Sequence, residues 1–255
     1  MKRNEKGGTA LITGASSGIG LAVSEEFAKL GYDVIGVSRT EGGFADLKNK
    51  FAERKFTFIS LDLSTDEGIA ILLRQTEGLG IDIFFANAGF GTFGPFTKIE
   101  NDRREEKMIQ LNVISNQMLI KEFLRRFTKA GKGRVLVTDS AAAFAPAPYM
   151  ASYFATKVYI YYLCLGYWRE LKAMHSKCSI SILCPGPVAT NFEKAGNLTF
   201  QSKPVSATKV AKVAVKGLFK GKTVIVPTLG MKLAHFFSHF FSKKFITGLD
   251  KHYAE

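Results

Sequence analysis

Cysteine is scarce. Cys164, Cys178 and Cys184 make an odd count with no metal or redox spacing, which argues against a disulfide framework and points to buried thiols in a reducing, cytoplasmic setting. Long apolar runs are also missing. No stretch approaches the roughly 20 residues of a membrane-spanning helix. The apolar segment behind the basic head MKRNEK is short and runs into glycine-rich turn sequence, so it reads as a first strand and not as a signal peptide. Acidic residues are outnumbered, 22 against 35 Lys and Arg, for a net charge of +13. No recognition motif accompanies that charge. Lys209, Lys212, Lys216 and Lys220 follow helical spacing beside Val210, Val213, Ala214 and Leu218, as a solvated helix face would. Nucleic acid is therefore not the expected partner; anionic substrates, cofactor phosphates or acidic lipid make more economical use of the charge.

What is present is a soluble globular composition, with 46% hydrophobic residues and 24 glycines but no low-complexity run. Apolar runs alternate with helical patterns: strands at 9–13, 33–38, 55–60, 81–87, 133–140, 179–184 and 223–227, and helices at about 18–30, 65–76, 102–130, 150–174 and 206–219. The runs are near-continuously apolar, as when both faces of a parallel sheet are covered. Such alternation predicts a doubly wound α/β Rossmann-type sheet of about seven strands. With no linker, repeat or composition break, residues 1–255 read as one domain, with a core over about 8–227 and a helical tail over about 229–249. Ligands of such sheets lie outside the carboxyl ends of the strands.

Three features stand at those ends and a fourth lies on a helix. The turn TGASSGIG (13–20) lies between the first strand and the first helix. Gly14 permits a tight turn, Gly18 a close approach of backbone to phosphate, and Gly20 close helix–sheet packing, while the helix N-terminus favours a pyrophosphate. At the end of the second strand, VSRT (37–40) presents Ser38 and Arg39 with no acid; Glu41 follows nearby. An acid there would repel a 2′-phosphate, whereas an arginine binds one, unless Arg39 is merely a surface residue. Asp62 and Leu63 follow the third strand, Asp62 being open to a second role at a helix N-terminus. Tyr153 and Lys157, in YMASYFATKV (149–158), are four residues apart and share a helix face. A neighbouring ammonium favours the phenolate.

The glycine turn, in its TGxxxGxG form, resembles that of the short-chain dehydrogenase/reductase family. So do NAG (87–89), Asn112 in LNV, Ser140 placed 13 residues before Tyr153, the Tyr153–Lys157 pair, and PGPVAT (185–190). The resemblance implies that Asn112, Ser140, Tyr153 and Lys157 are catalytic: Tyr153 as general acid/base, Lys157 on the nicotinamide ribose and lowering the phenol pKa, Ser140 on the substrate oxygen, and Asn112 in a proton relay. It implies a dinucleotide held by Gly14, Ser16, Ser17, Gly18, Ile19, Gly20, Ser38, Arg39, Asp62, Leu63, Asn87, Ala88, Gly89, Pro185, Gly186, Val188 and Thr190, together with Tyr153 and Lys157; Arg39 favours NADP(H). No metal is expected. Asp139 departs from the second serine that many members carry before the catalytic one. The family also implies a homodimer or homotetramer through the helices flanking the sheet.

Two segments lie beyond the motifs. Residues 191–205 fall where the family carries a lid, and Phe192, Leu198 and Phe200 either contact an apolar substrate or pack locally. In the tail, Leu233, Phe236, Phe237, Phe240 and Phe241 form a helical stripe opposite His235, Ser238, His239 and Ser242. That amphipathic pattern suits packing against the domain or a second subunit, roofing the pocket, or peripheral membrane contact through residues 231–249. The resulting expectation is an NADP(H)-dependent oxidoreductase interconverting a carbonyl and an alcohol on a hydrophobic acyl-, steroid- or lipid-like substrate. The alternatives are a catalytically silent dinucleotide sensor or scaffold and an interfacial lipid-processing enzyme.

Overall fold

The computed structural model describes residues 7–97, 103–192, 203–238, 240, 242 and 247. Seven parallel strands form one sheet: β1 (Thr9–Thr13), β2 (Asp33–Ser38), β3 (Phe56–Ser60), β4 (Ile81–Ala86), β5 (Arg134–Thr138), β6 (Ser179–Leu183) and, last in the chain, β9 (Val224–Ile225). Their spatial order is β3-β2-β1-β4-β5-β6-β9. The short strands β7 (Val188–Ala189) and β8 (Val205–Ser206) pair separately.

Helices cover both faces, which is why the strand interiors are mostly apolar. On one side α1 (Gly18–Lys29), α2 (Phe44–Lys50) and α7 (Ala207–Phe219) bury Val23, Phe27, Phe44, Ala211 and Leu218 against Ile12, Ile83 and Phe85. On the other, α3 (Asp66–Gln75), α5 (Asn116–Ala130) and α6 (Ala151–Ala173) bury Leu72, Phe123, Phe127 and Ile160 against Leu11, Phe84 and Val137. Alternating pleats send Phe84 and Phe85 to opposite layers. Lys209, Lys212, Lys216 and Lys220 are exposed, on and just after α7, as expected of a solvated face. All three cysteines are free and buried.

Three features go beyond what the sequence anticipated. The short helix α2 was not anticipated; its Phe44 ring fills the space that a side chain at Gly36 would need, so the glycine and the helix depend on each other. The helical region expected over about 102–130 runs continuously over 104–130 but is not uniform: α4 (Arg104–Ile109) passes into a π-helical segment, Gln110–Ser115, before α5. There Ser115 Oγ donates to the Gln110 carbonyl (2.9 Å) and Asn116 Nδ2 to that of Leu111 (3.0 Å), so side chains take up carbonyls that the wider turn frees. Residue 102 itself lies outside the described residues. In the tail, α8 (Leu229–Phe237) has its histidine side inward: His235 stacks on Phe144 at 4.0 Å, whereas Leu233, Phe236 and Phe237 are exposed. Phe241, His239, Leu198 and Phe200 lie outside the described residues, as does most of the chain beyond 242.

Phe84 is fully buried and stacks on Phe123 with ring centroids 4.2 Å apart. Phe84→Ala should destabilise the fold by about 3–5 kcal/mol, because transfer energy and cavity cost add. Urea denaturation should read this as a lower midpoint with an unchanged slope.

Candidate active site

The sheet order reverses between β1 and β4, and the crevice this leaves at their carboxyl ends is where a doubly wound fold takes its ligand. The turn after β1 is built for close approach. Gly14 has φ +67° and its N–H donates to the Val37 carbonyl at 2.7 Å. Gly18 has φ +56°, in the left-handed region that a side chain disfavours. A Cβ at Gly20 would collide with the Gly14 carbonyl oxygen, so this glycine serves packing.

Asn87 holds the crevice together. Its Nδ2 donates to the carbonyls of Thr13 (3.0 Å) and Gly14 (3.2 Å), and its Oδ1 accepts from Thr138 Oγ1 (2.9 Å). Thr13 Oγ1 accepts from the N–H groups of Asn87 and Ala88. One amide thus ties together β1, β4 and β5.

Nearly every residue singled out from the sequence lines one cavity of about 880 Å³. Ser16, Ser17, Ile19, Ser38 and Arg39 line it with Gly14 and Gly18, beside Asp62 and Leu63. Ala88 and Gly89 follow Asn87 along its wall, and Pro185, Gly186, Val188 and Thr190 close another side. Gly20 and Asn112 are the exceptions and do not line it. Asn112 is buried in the π-helical segment, where Nδ2 donates to the Phe90 carbonyl (2.8 Å) and to Thr156 Oγ1 (3.2 Å), and Oδ1 accepts from the Phe90 N–H (3.1 Å). It braces the strand-end loop against α6.

Arg39 is exposed at the cavity rim. Glu41 forms an ion pair with Lys48 at 2.9 Å. Asp62 accepts from the backbone and hydroxyl of Ser64; partial burial raises its pKa, but those donors and the charges of Arg39 and Lys107 outweigh it and hold the carboxyl below its usual value. The surroundings fit a phosphate-bearing dinucleotide: a left-handed glycine turn at a helix N-terminus, two serines, and the cations Arg39, Arg104 and Lys107 along one wall.

At the other end Ser140, Tyr153 and Lys157 come together. The Ser140 hydroxyl is a hydrogen-bond partner of the Tyr153 phenol and accepts from the Ala142 N–H at 3.1 Å. Lys157 Nζ donates to the Thr138 carbonyl (3.1 Å) and lies 5.7 Å from the Tyr153 ring centroid. Burial pushes the phenol well above its ordinary pKa; the Ser140 hydrogen bond opposes that rise and the Asp139 charge adds to it. Burial likewise lowers Lys157, against the pull of Asp139. The expected lowering of the phenol by Lys157 is not among the influences on it, and desolvation sets the direction.

Sequence reasoning missed the apolar half of the cavity. Phe90, Phe93, Met150, Phe154 and Met231 line it beside Phe192, whose ring centroid is 5.4 Å from that of Tyr153. Phe90 directly follows the NAG turn and Phe154 adjoins Tyr153, but nothing in their spacing says which way they point. Thr13 and Thr138 were also missed, because a threonine in a strand usually signals only β-propensity, as was Thr156 inside α6.

A family model described as short chain dehydrogenase matches residues 8–199. An uncharacterized oxidoreductase of Escherichia coli, YbbO, is 30% identical over 212 residues, covering 80% of this chain and 74% of its own. The very-long-chain 3-oxoacyl-CoA reductase of Anas platyrhynchos is 30% identical over 220 residues, covering 83% of this chain and 70% of its own. Among solved structures, a short-chain dehydrogenase from Sphingobium yanoikuyae in complex with NADPH superimposes with a TM-score of 0.82 at 25% identity, covering 97% of both chains. With the glycine turn, the Asn87 clamp and the Tyr153–Lys157 face set in this sheet, the chain belongs to the short-chain dehydrogenase family of oxidoreductases.

Proposed function

We propose that the protein is an NADP(H)-dependent oxidoreductase that interconverts a carbonyl and an alcohol on a hydrophobic substrate. The observation that carries this reading is the single cavity holding Tyr153, Ser140 and Lys157 between a basic, glycine-built end and an apolar end. The bound dinucleotide supplies or accepts the hydride. Tyr153 donates the proton to the carbonyl oxygen in reduction and takes it back in oxidation. Ser140 hydrogen-bonds the same oxygen and stabilises the charge developing there. Lys157, fixed by the Thr138 carbonyl, holds the nicotinamide ribose, and Asn112 positions α6 and its loop for a proton relay. The 2′-phosphate would be held by Arg39 beside Ser38. A silent dinucleotide sensor would have no use for a Tyr–Ser–Lys group set in the cavity wall.

The apolar walls supplied by Phe90, Phe93, Met150, Phe154 and Phe192 suit an acyl-, steroid- or other lipid-like substrate. The reductase of Anas platyrhynchos named above acts on a very-long-chain 3-oxoacyl-CoA, which agrees with that class. Ile109 on α4 and Met118, Tyr159 and Tyr162 on α5 and α6 are exposed and offer a surface for a homodimer or homotetramer. The free, buried thiols suit a reducing, cytoplasmic compartment. Helix α8 favours peripheral contact with an anionic membrane: Met231 lines the cavity, Leu233, Phe236 and Phe237 face outward with Phe240, and Lys232 is exposed among them on a chain of net charge +13. No described helix is long and apolar enough to cross a membrane.

Tyr153→Phe should lower turnover by about 10²–10⁴-fold while NADPH affinity, read by fluorescence titration, changes little; undiminished turnover would refute the assignment. Arg39→Asp should weaken NADPH about tenfold to a hundredfold and spare NADH, since a charge-assisted contact contributes about 1.5–3 kcal/mol. Equal affinity for both cofactors in the wild type would make Arg39 a surface residue only. Phe236→Ser with Phe240→Ser should abolish co-sedimentation with phosphatidylserine vesicles, and binding by the wild type should weaken with salt; retention by the double variant would exclude α8 as the contact.

A further inference from the structure

Along β5 the side chains of Val135 and Val137 face the core shared with α6. Asp139 is the next residue in that alternating register, so a carboxyl stands where the column would otherwise hold an aliphatic group. It is 2% exposed. Its N–H donates to the Leu183 carbonyl at 2.8 Å, which fixes the backbone. Oδ2 lies 4.0 Å from Cys184 Sγ and Oδ1 makes no close hydrogen bond, the Ser140 N–H being the backbone group that favours the ionised carboxyl. Leaving a buried carboxyl oxygen unpaired is costly, and such cost is most often met at functional sites.

The flanking residues connect it to the site. The carbonyl of Thr138, one residue before, accepts from Lys157 Nζ, and the hydroxyl of Ser140, one residue after, meets the Tyr153 phenol. Lys157, Tyr153, Tyr161 and Cys164 of α6 and Cys184 after β6 are the titratable groups within its field. From α8, His235 stacks on Phe144, which meets Tyr161 edge-on. Lys157 is the cation that interacts with the Asp139 carboxylate.

We infer that Asp139 is a buried positioning residue whose charge keeps the Lys157–Tyr153 pair protonated and so extends carbonyl reduction to higher pH. This rests on the reading of Tyr153 as the proton donor. The sign follows from electrostatics alone: a nearby negative charge favours the ammonium over the amine and the phenol over the phenolate, so both members of the pair hold their protons longer. The Asp139 charge acts on each member, so whichever proton leaves first leaves later when Asp139 is ionised. Burial raises the Asp139 carboxyl above the ordinary carboxylate range, and the charge of Lys157 opposes that rise. The carboxylate therefore forms late in the pH scale, where the alkaline limb of reduction lies.

The test uses the full chain with Asp139→Asn, and Asp139→Ser should the amide variant fail to fold. The pH profile of kcat/KM for NADPH-dependent carbonyl reduction should lose its alkaline plateau about one pH unit earlier in either variant. A second readout needs no turnover: the phenolate absorbance that disappears in Tyr153→Phe, followed against pH with NADP+ added. It should appear at lower pH in the Asp139 variants than in the wild type. Coincident curves, a shift to higher pH, or no Tyr153 signal in any of the proteins would overturn the inference. Turnover surviving in Tyr153→Phe would instead refute the proton-donor reading, while the absorbance curves would still judge Asp139.

Discussion

Three strands that never meet in sequence are joined at their carboxyl ends by one amide. Asn87 donates to the carbonyls of Thr13 and Gly14 and accepts from Thr138, whose own carbonyl receives Lys157. The hydrogen bonds run without a break from the glycine turn to the lysine of the site. Each member is partly or wholly buried, and a buried polar network of this kind is rigid only when its members are satisfied. The placement of α6 relative to the glycine turn, and with it the two ends of the cavity, depends on that link.

The cavity is divided by chemistry. Cations, backbone N–H groups and small residues gather where β1, β2 and β3 end. Aromatic and methionine side chains gather beyond Tyr153, drawn from the β4 loop, α6 and the stretch after β7. Between them stands a group of buried ionisable side chains whose pKa values are moved chiefly by desolvation. Charges there interact more strongly than on the surface because water is largely excluded. A single carboxyl in the floor therefore matters more than the surplus of surface lysines.

Much of this was legible in the chain. β2 was read at its observed bounds, and the glycine turn, the NAG turn and the Tyr153–Lys157 face each depend on local spacing that a strand end or a helix imposes. The π-helical segment was not legible, because its cause is the capture of backbone carbonyls by Ser115 and Asn116, and a polar residue in a helical pattern does not announce which acceptor it will find. Nor was the facing of α8. Its phenylalanine stripe suited packing, roofing the pocket or membrane contact alike; His235 and Met231 are turned inward, since Phe144 and the cavity edge offer them partners.

The sequence by itself determined the alternation of strands and helices, the conformations demanded at Gly14 and Gly18, and the identity of the residues at the strand ends. These follow from short-range sterics and from periods of two and 3.6 residues. Only the tertiary structure decided which strand ends face each other, that Phe90, Phe154 and Phe192 enclose Tyr153, and that Asp139 is buried within the field of Lys157. Those relations join residues tens of positions apart, and they are set by the strand order and helix packing that the whole chain adopts at once.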